Sequence, residues 1–159
     1  MIGRALTAGE YGFDDLRSGD RVETAAQEIT PALIDAFADM TGDRFTIHMT
    51  DEGARSMGFP ARVAHGLLVL SVIDGLKNRA PAQFRAIASL GWDWTFSKPV
   101  IAGDLVRAIF TIRSMRATSD GQRGVLTIAV EAFNQRDEPI QKGTNRLMVW
   151  RSPDRDRVA

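Results

Sequence analysis

Apolar residues recur along this chain with two different periods, and the change of period divides it. Leu33, Ile34, Phe37 and Met40 fall at helical spacing between Thr30 and Gly42. Thr30 is a good N-cap, Pro31 suits the first helical position and Gly42 supplies a stop, so the pattern predicts a helix over 31–41. Before it, Gly19-Asp20 ends an irregular acidic stretch and Arg21 to Thr30 reads as a first strand. After it, Thr50-Asp51-Glu52 opens a short helix that should end near Gly58, and Pro60 prevents its continuation. From His65 to Arg79 the chain is apolar on nearly every helical face for two turns, the mark of a helix covered all round.

Beyond that helix the period becomes two. Ala86 to Phe96, Asp104 to Arg116, Gly124 to Asn134 and Pro139 to Trp150 are rich in β-branched and aromatic residues. In the third of these segments Leu126, Ile128, Val130 and Ala132 alternate with Thr127, Ala129, Glu131 and Phe133. Ser119-Asp120-Gly121 and Arg136-Asp137-Glu138 are turn signals that link successive strands as antiparallel hairpins. Long antiparallel strands following one apolar helix predict a curved sheet wrapped around that helix, an α+β fold.

Length and charge narrow the partners. A chain of 159 residues fits one domain, 1–159, with a core of about 11–150. Twenty Lys plus Arg balance twenty Asp plus Glu, so no global field favours nucleic acid or an anionic membrane. Without cysteine there are no disulfides or thiolate nucleophiles, which fits a reducing, cytoplasmic setting. The start Met1-Ile2-Gly3-Arg4-Ala5-Leu6 does not read as a secretory signal, and the apolar run Leu67 to Ile73 is far below the ~20 residues that span a bilayer. The charge-alternating tail 151–159 is expected to fray.

Two short phrases carry the candidate chemistry: Thr41-Gly42-Asp43-Arg44-Phe45-Thr46-Ile47-His48 and Arg62-Val63-Ala64-His65-Gly66. Asp43 and His48 are up to ~16 Å apart on an extended chain, so they meet only if the loop after Gly42 curls back. If they meet, a carboxylate and a near-neutral imidazole can hold one water between them. The alternative makes Asp43 a turn cap and His48 a hydrogen-bonded core histidine. His65-Gly66 opens the apolar helix, where unpaired N–H groups and the helix dipole suit an oxyanion. The alternative there makes Gly66 a packing residue and His65 a capping or tautomer-fixing group. A metal site from His48, Asp51 and His65 is disfavoured, since no spacing puts two ligands on one helical face. Asp93, between Trp92 and Trp94, reads as a strand residue beside packing aromatics.

Phe37 to His48, followed after five residues by Ala54, resembles the hydratase signature of the MaoC-like dehydratases, relatives of the R-specific enoyl-CoA hydratases. Tyr11-Gly12-Phe13-Asp14-Asp15-Leu16, Ala61 to Leu68, Phe96-Ser97-Lys98-Pro99-Val100 and Ala132-Phe133-Asn134-Gln135 extend the likeness over about residues 11–150. The resemblance implies a hot dog fold, a long central helix wrapped by an antiparallel sheet, assembled as a homodimer or larger homo-oligomer. It implies that Asp43 and His48 hold the catalytic water and that the Gly66 N–H meets the thioester oxygen. The implied reaction is reversible hydration of a trans-2-enoyl-CoA to an R-3-hydroxyacyl-CoA, with no cofactor beyond the coenzyme A of the substrate. Phe45, His65 and Arg62 are the candidate substrate contacts, and Lys77, Arg79, Arg85 and Lys98 are candidates for the coenzyme phosphates. Phe45 and Thr46 stand where the family has asparagine and proline, which loosens the loop and points to a branched, cyclic or otherwise unusual enoyl group. Alternatives on the same fold are an acyl-CoA thioesterase and a non-catalytic acyl-thioester-binding protein.

Overall fold

The computed structural model describes residues 3–152. Its core is a six-stranded antiparallel sheet curled over one helix. The helix is α4, Gly66–Asn78. In spatial order the sheet's strands are β2 (Arg21–Glu23), β6 (Leu105–Ala117), β7 (Arg123–Phe133), β8 (Pro139–Trp150) and β5 (Ala86–Phe96), with β3 (Gln27–Glu28) also on β6. Val106, Ala108, Phe110 and Ile112 of β6 and Leu126, Ile128, Val130 and Ala132 of β7 point inward with strict alternation, and pack with Val69 and Ile73 of α4 in one apolar cluster. Both hairpin turns form where predicted: Thr118 to Gly121 closes β6–β7, and Asn134 to Glu138 closes β7–β8 with Asp137 at φ 58°.

The predicted strand over Arg21 to Thr30 is two short strands. Thr24 interrupts it: its N–H donates to the Ala108 carbonyl at 3.0 Å, and its Oγ1 accepts from the Ala108 N–H at 2.9 Å. Pairing resumes one residue out of register, from Glu23 opposite Ile109 to Gln27 opposite Val106. The stretch read as irregular holds β1 (Gly9–Tyr11), which pairs in parallel with β4 (Ala82–Phe84). Three residues are too few for a period to show.

Two further expectations change. The α4 helix is not covered all round, because Leu67 is 60% exposed and Ser71 also faces outward at its N-terminal end. Of the tail, residues 153–159 lie outside the described residues, but Arg151 is paired with Asp14 and Ser152 Oγ donates to Asp15 at 2.6 Å. The charge alternation there hid two specific partners more than 130 positions upstream.

Among the described residues, no helix is long and apolar enough to cross a membrane.

Candidate active site

The helix α1, Pro31–Thr41, starts and stops as its sequence requires. Thr30 Oγ1 accepts from Leu33 N at 3.1 Å, and Gly42 ends the helix in the left-handed region at φ 80°. The chain then reverses through Asp43 to Phe45 and winds into a single helical turn, α2 (Thr46–Met49), before α3 (Asp51–Ser56). This turn was read as open loop, yet it supplies the curl that brings His48 back. Contacts to neighbouring residues hold the segment on either side of Phe45 and Thr46. His48 N donates to Phe45 O at 2.8 Å, and Gly53 lies so close to Thr46 that an added Cβ would stand 2.6 Å from the Thr46 carbonyl oxygen.

Asp43 answers to both of its readings. Its Oδ1 accepts from Phe45 N at 3.3 Å, a turn-capping bond, while its carboxylate also lines the site cavity. His48 is 7% exposed and its Nδ1 lies 2.7 Å from Val63 O. A carbonyl can only accept, so Nδ1 carries the proton and Nε2 keeps its lone pair. By the same logic His65, 2% exposed, donates from Nε2 to Asp43 O at 2.8 Å, leaving its buried Nδ1 without a partner. Burial, as the main cause, holds His48 below the ordinary histidine range; the neighbouring His65 and Arg62 act in the same direction, against the Val63 bond and Asp43.

One potential ligand atom each from Asp43, His48 and His65 lies within 4.8 Å of the others. Asp51, weighed from the sequence as the carboxylate of such a set, is elsewhere: its Oδ1 accepts from Arg62 N at 2.9 Å. With Nε2 of His65 committed as a donor, its Nδ1 is the ring nitrogen that keeps a lone pair.

A cavity of about 460 Å³ opens beside these residues. Its walls include Phe45, Ile47, Phe59, Phe96 and Val100, and the α4 N-terminus at Gly66 forms one side. A Cβ on Gly66 would meet the Phe96 ring at 2.6 Å, so glycine is needed for packing as well as for access to the N–H. Phe45, 72% exposed, lies nearly parallel to the His48 ring with centroids 6.4 Å apart.

The remaining candidates divide. Arg62 is not a cavity residue; its Nε donates to His48 O at 2.5 Å and its Nη2 pairs with Asp35, so it braces α2 from behind. His65 lines the cavity. Of the four candidate phosphate contacts only Lys98 reaches the cavity, where it pairs with Glu138 at 2.7 Å. Lys77 is buried against Asp74 at 2.7 Å, Arg79 bonds Gln27, and Arg85 donates to Arg151 O at 2.6 Å, all three away from the cavity lining. Gln141 on the cavity wall escaped the sequence reading. Its signal was one of phase, since Gln141 and Asn145 share the inward face of β8 with Leu147 and Val149.

Residues 16–133 match the family model described as "MaoC like domain". The chain is 34% identical over 148 residues to a 3-hydroxybutyryl-CoA dehydratase of Methylorubrum extorquens, covering 92% of this chain and 89% of that one. It is 27% identical over 144 residues to a mesaconyl-CoA hydratase of Cereibacter sphaeroides, covering 89% of this chain but 41% of the relative. It thus spans less than half the length of some of the curated relatives it matches. Among solved structures, a Mycobacterium tuberculosis protein with a double hot dog fold superposes with a TM-score of 0.79 at 22% identity, over 91% of this chain and 46% of that one. The curled sheet around α4 is a hot dog fold.

Proposed function

This chain belongs to the MaoC-like dehydratase family, and from that premise we propose that it adds water reversibly to a trans-2-enoyl-CoA, giving an R-3-hydroxyacyl-CoA. One observation carries the reading: Asp43 and His48, five positions apart, converge on one wall of an apolar cavity whose other side is the free N-terminus of α4 at Gly66. In the hydration direction the Asp43 carboxylate and His48 Nε2 each accept a hydrogen bond from one water. As the water oxygen bonds to Cβ, His48 Nε2 takes its proton and the alkene electrons move toward the thioester oxygen. The Gly66 N–H and the α4 dipole stabilise that enolate. The pair then returns a proton to Cα, so that one water is consumed and both side chains end as they began. This chemistry draws on no cofactor beyond the coenzyme A of the substrate, with Lys98 at the cavity as its phosphate contact.

The relatives named for 3-hydroxybutyryl-CoA and mesaconyl-CoA support a short acyl group, and Phe45 over the His48 ring supports selection for its shape. Assembly is part of the proposal. Strand β5 ends the sheet, all eleven of its residues are exposed or half-buried, and Ile87 and Leu90 face outward. Edge pairing with a second copy would continue the sheet and cover them.

The test is loss of enoyl-thioester absorbance with a panel of enoyl-CoA esters, from crotonyl-CoA to branched analogues. Hydration of at least one supports the reading. Release of free coenzyme A from saturated acyl-CoA, without hydration of any member of the panel, selects thioester hydrolysis and overturns it.

A further inference from the structure

We propose that Gln141 gives the thioester oxygen a second hydrogen-bond donor beside the Gly66 N–H, with Trp94 holding its amide in the donating orientation; this rests on the hydratase reading above. Gln141 sits on β8 between Phe96 of β5 and Ala132 of β7, is 2% exposed and lines the cavity together with Gly66. Its Oε1 accepts from Trp94 Nε1 at 2.8 Å, and its Nε2 donates to Gly66 O at 3.2 Å.

Those two partners lock the amide. An indole N–H can only donate and a backbone carbonyl can only accept, so a flipped amide would set N–H against N–H and oxygen against oxygen. Nε2 therefore faces the first turn of α4. A primary amide carries two N–H groups, and Gly66 O takes one. Among the described residues the second has no acceptor. Buried donors are seldom left unpaired in a folded chain, and one kept unpaired on a cavity wall is a place for a ligand acceptor.

The neighbouring geometry selects that ligand atom. Because Nε2 is bonded to the carbonyl of Gly66, it stands within one residue of the N–H assigned to the thioester oxygen. Preorganised donors aimed at the site of developing charge are an effective arrangement for stabilising an enolate, and Gln141 and Gly66 line the same cavity. Phe96, pressed against Gly66, adds an apolar face to that corner. Trp94 touches no substrate in this scheme; it is a positioning residue whose N–H fixes which end of the amide donates.

The experiment uses the full chain with crotonyl-CoA and with trans,trans-2,4-hexadienoyl-CoA, a conjugated thioester whose absorbance moves to longer wavelength when its carbonyl is polarised. Gln141→Leu and Gln141→Glu are expected to lower kcat by about 10²- to 10³-fold, the usual effect of losing one oxyanion donor, with KM changed less than about 3-fold. Both should also lose most of the red shift of bound dienoyl-CoA. Gln141→Glu keeps the size of the side chain and an acceptor for Trp94, so it reports even if Gln141→Leu fails to fold. Trp94→Phe should lower kcat less, by about 10-fold, because the amide is retained but no longer held.

Wild-type kcat in either Gln141 variant overturns the proposal. So does a variant that loses turnover and thermal stability together yet binds dienoyl-CoA with the full red shift, since the residue would then only tie β8 to α4. If the wild type hydrates no enoyl-CoA the hydratase reading fails, whereas the dienoyl-CoA shift still decides the role of Gln141.

Discussion

The imidazoles of His48 and His65 lie face to face, centroids 3.9 Å apart and planes 28° from parallel. Each ring donates one N–H to a backbone carbonyl, His48 to Val63 and His65 to Asp43. The two tautomers are thus set by neighbours that can only accept, and the contact is compatible with two neutral rings far better than with two cations. His65 brings the Asp43 backbone to the stack, and the stack fixes the plane of His48.

Acid should therefore switch the enzyme off late. Burial holds the His48 pKa below the ordinary 6.5, so kcat/KM should stay level through neutral pH and fall only as pH drops through that lowered value. Stability follows the same sign. Between 6.5 and the folded pKa the unfolded chain binds a proton that the folded chain does not, so stability declines as pH falls through this window and is regained as it rises. A pH–rate profile and thermal melts across the acid range check both, and His48→Gln should remove the stability component.

Removing either member of the pair proposed to hold the water should be severe. Asp43→Asn and His48→Ala are each expected to lower kcat/KM by at least ~10²-fold, the usual loss for a general acid–base group. In Asp43→Asn the turn bond from Phe45 N to the retained side-chain oxygen can persist, so its melting temperature should stay near wild type. Full activity in both variants would remove these residues from the mechanism.

Gly66→Ala should damage catalysis through packing. The new methyl would sit 2.6 Å from the Phe96 ring, which must swing toward the cavity or push the helix start away. A rise in KM and a fall in kcat together are expected. Pairing it with Phe96→Ala should recover stability by making room, and non-additive melts of the double variant would reveal the contact.

Phe45→Ala should alter substrate preference more than stability. The side chain is mostly in solvent, so little burial is lost, but one wall of the cavity beside His48 disappears. Longer straight-chain enoyl-CoA esters should gain in kcat/KM relative to branched ones by about 10-fold, the scale set by a few apolar contacts. An unchanged ranking across the panel would separate Phe45 from specificity.

What the sequence determined by itself was everything that depends on local period and capping. The Thr30-Pro31 start and Gly42 stop of α1, the four long strands with the inward and outward faces of β7, and both hairpin turns follow from contacts within a few residues. Asp43, His48 and Gly66 were also visible, because a loop glycine and a helix-opening glycine mark places where backbone and side chains can meet a ligand.

Tertiary structure decided the rest, through contacts between residues far apart in the chain. Four residues cannot display a helical period, so α2, the turn that carries His48 into the cavity, emerged only once Val63 and Arg62 had bonded to it. Thr24 looks like any strand threonine until Ala108 lies opposite. Leu67, read as a core residue, stands on the outward side of the first turn of α4 and is 60% exposed. Arg62, which opens the second candidate phrase in sequence, is turned toward Asp35, while Gln141, 75 positions from Gly66, bonds to it. Alternation could say that Gln141 faces inward with Leu147 and Val149; only the closing of the sheet over α4 could say what it faces.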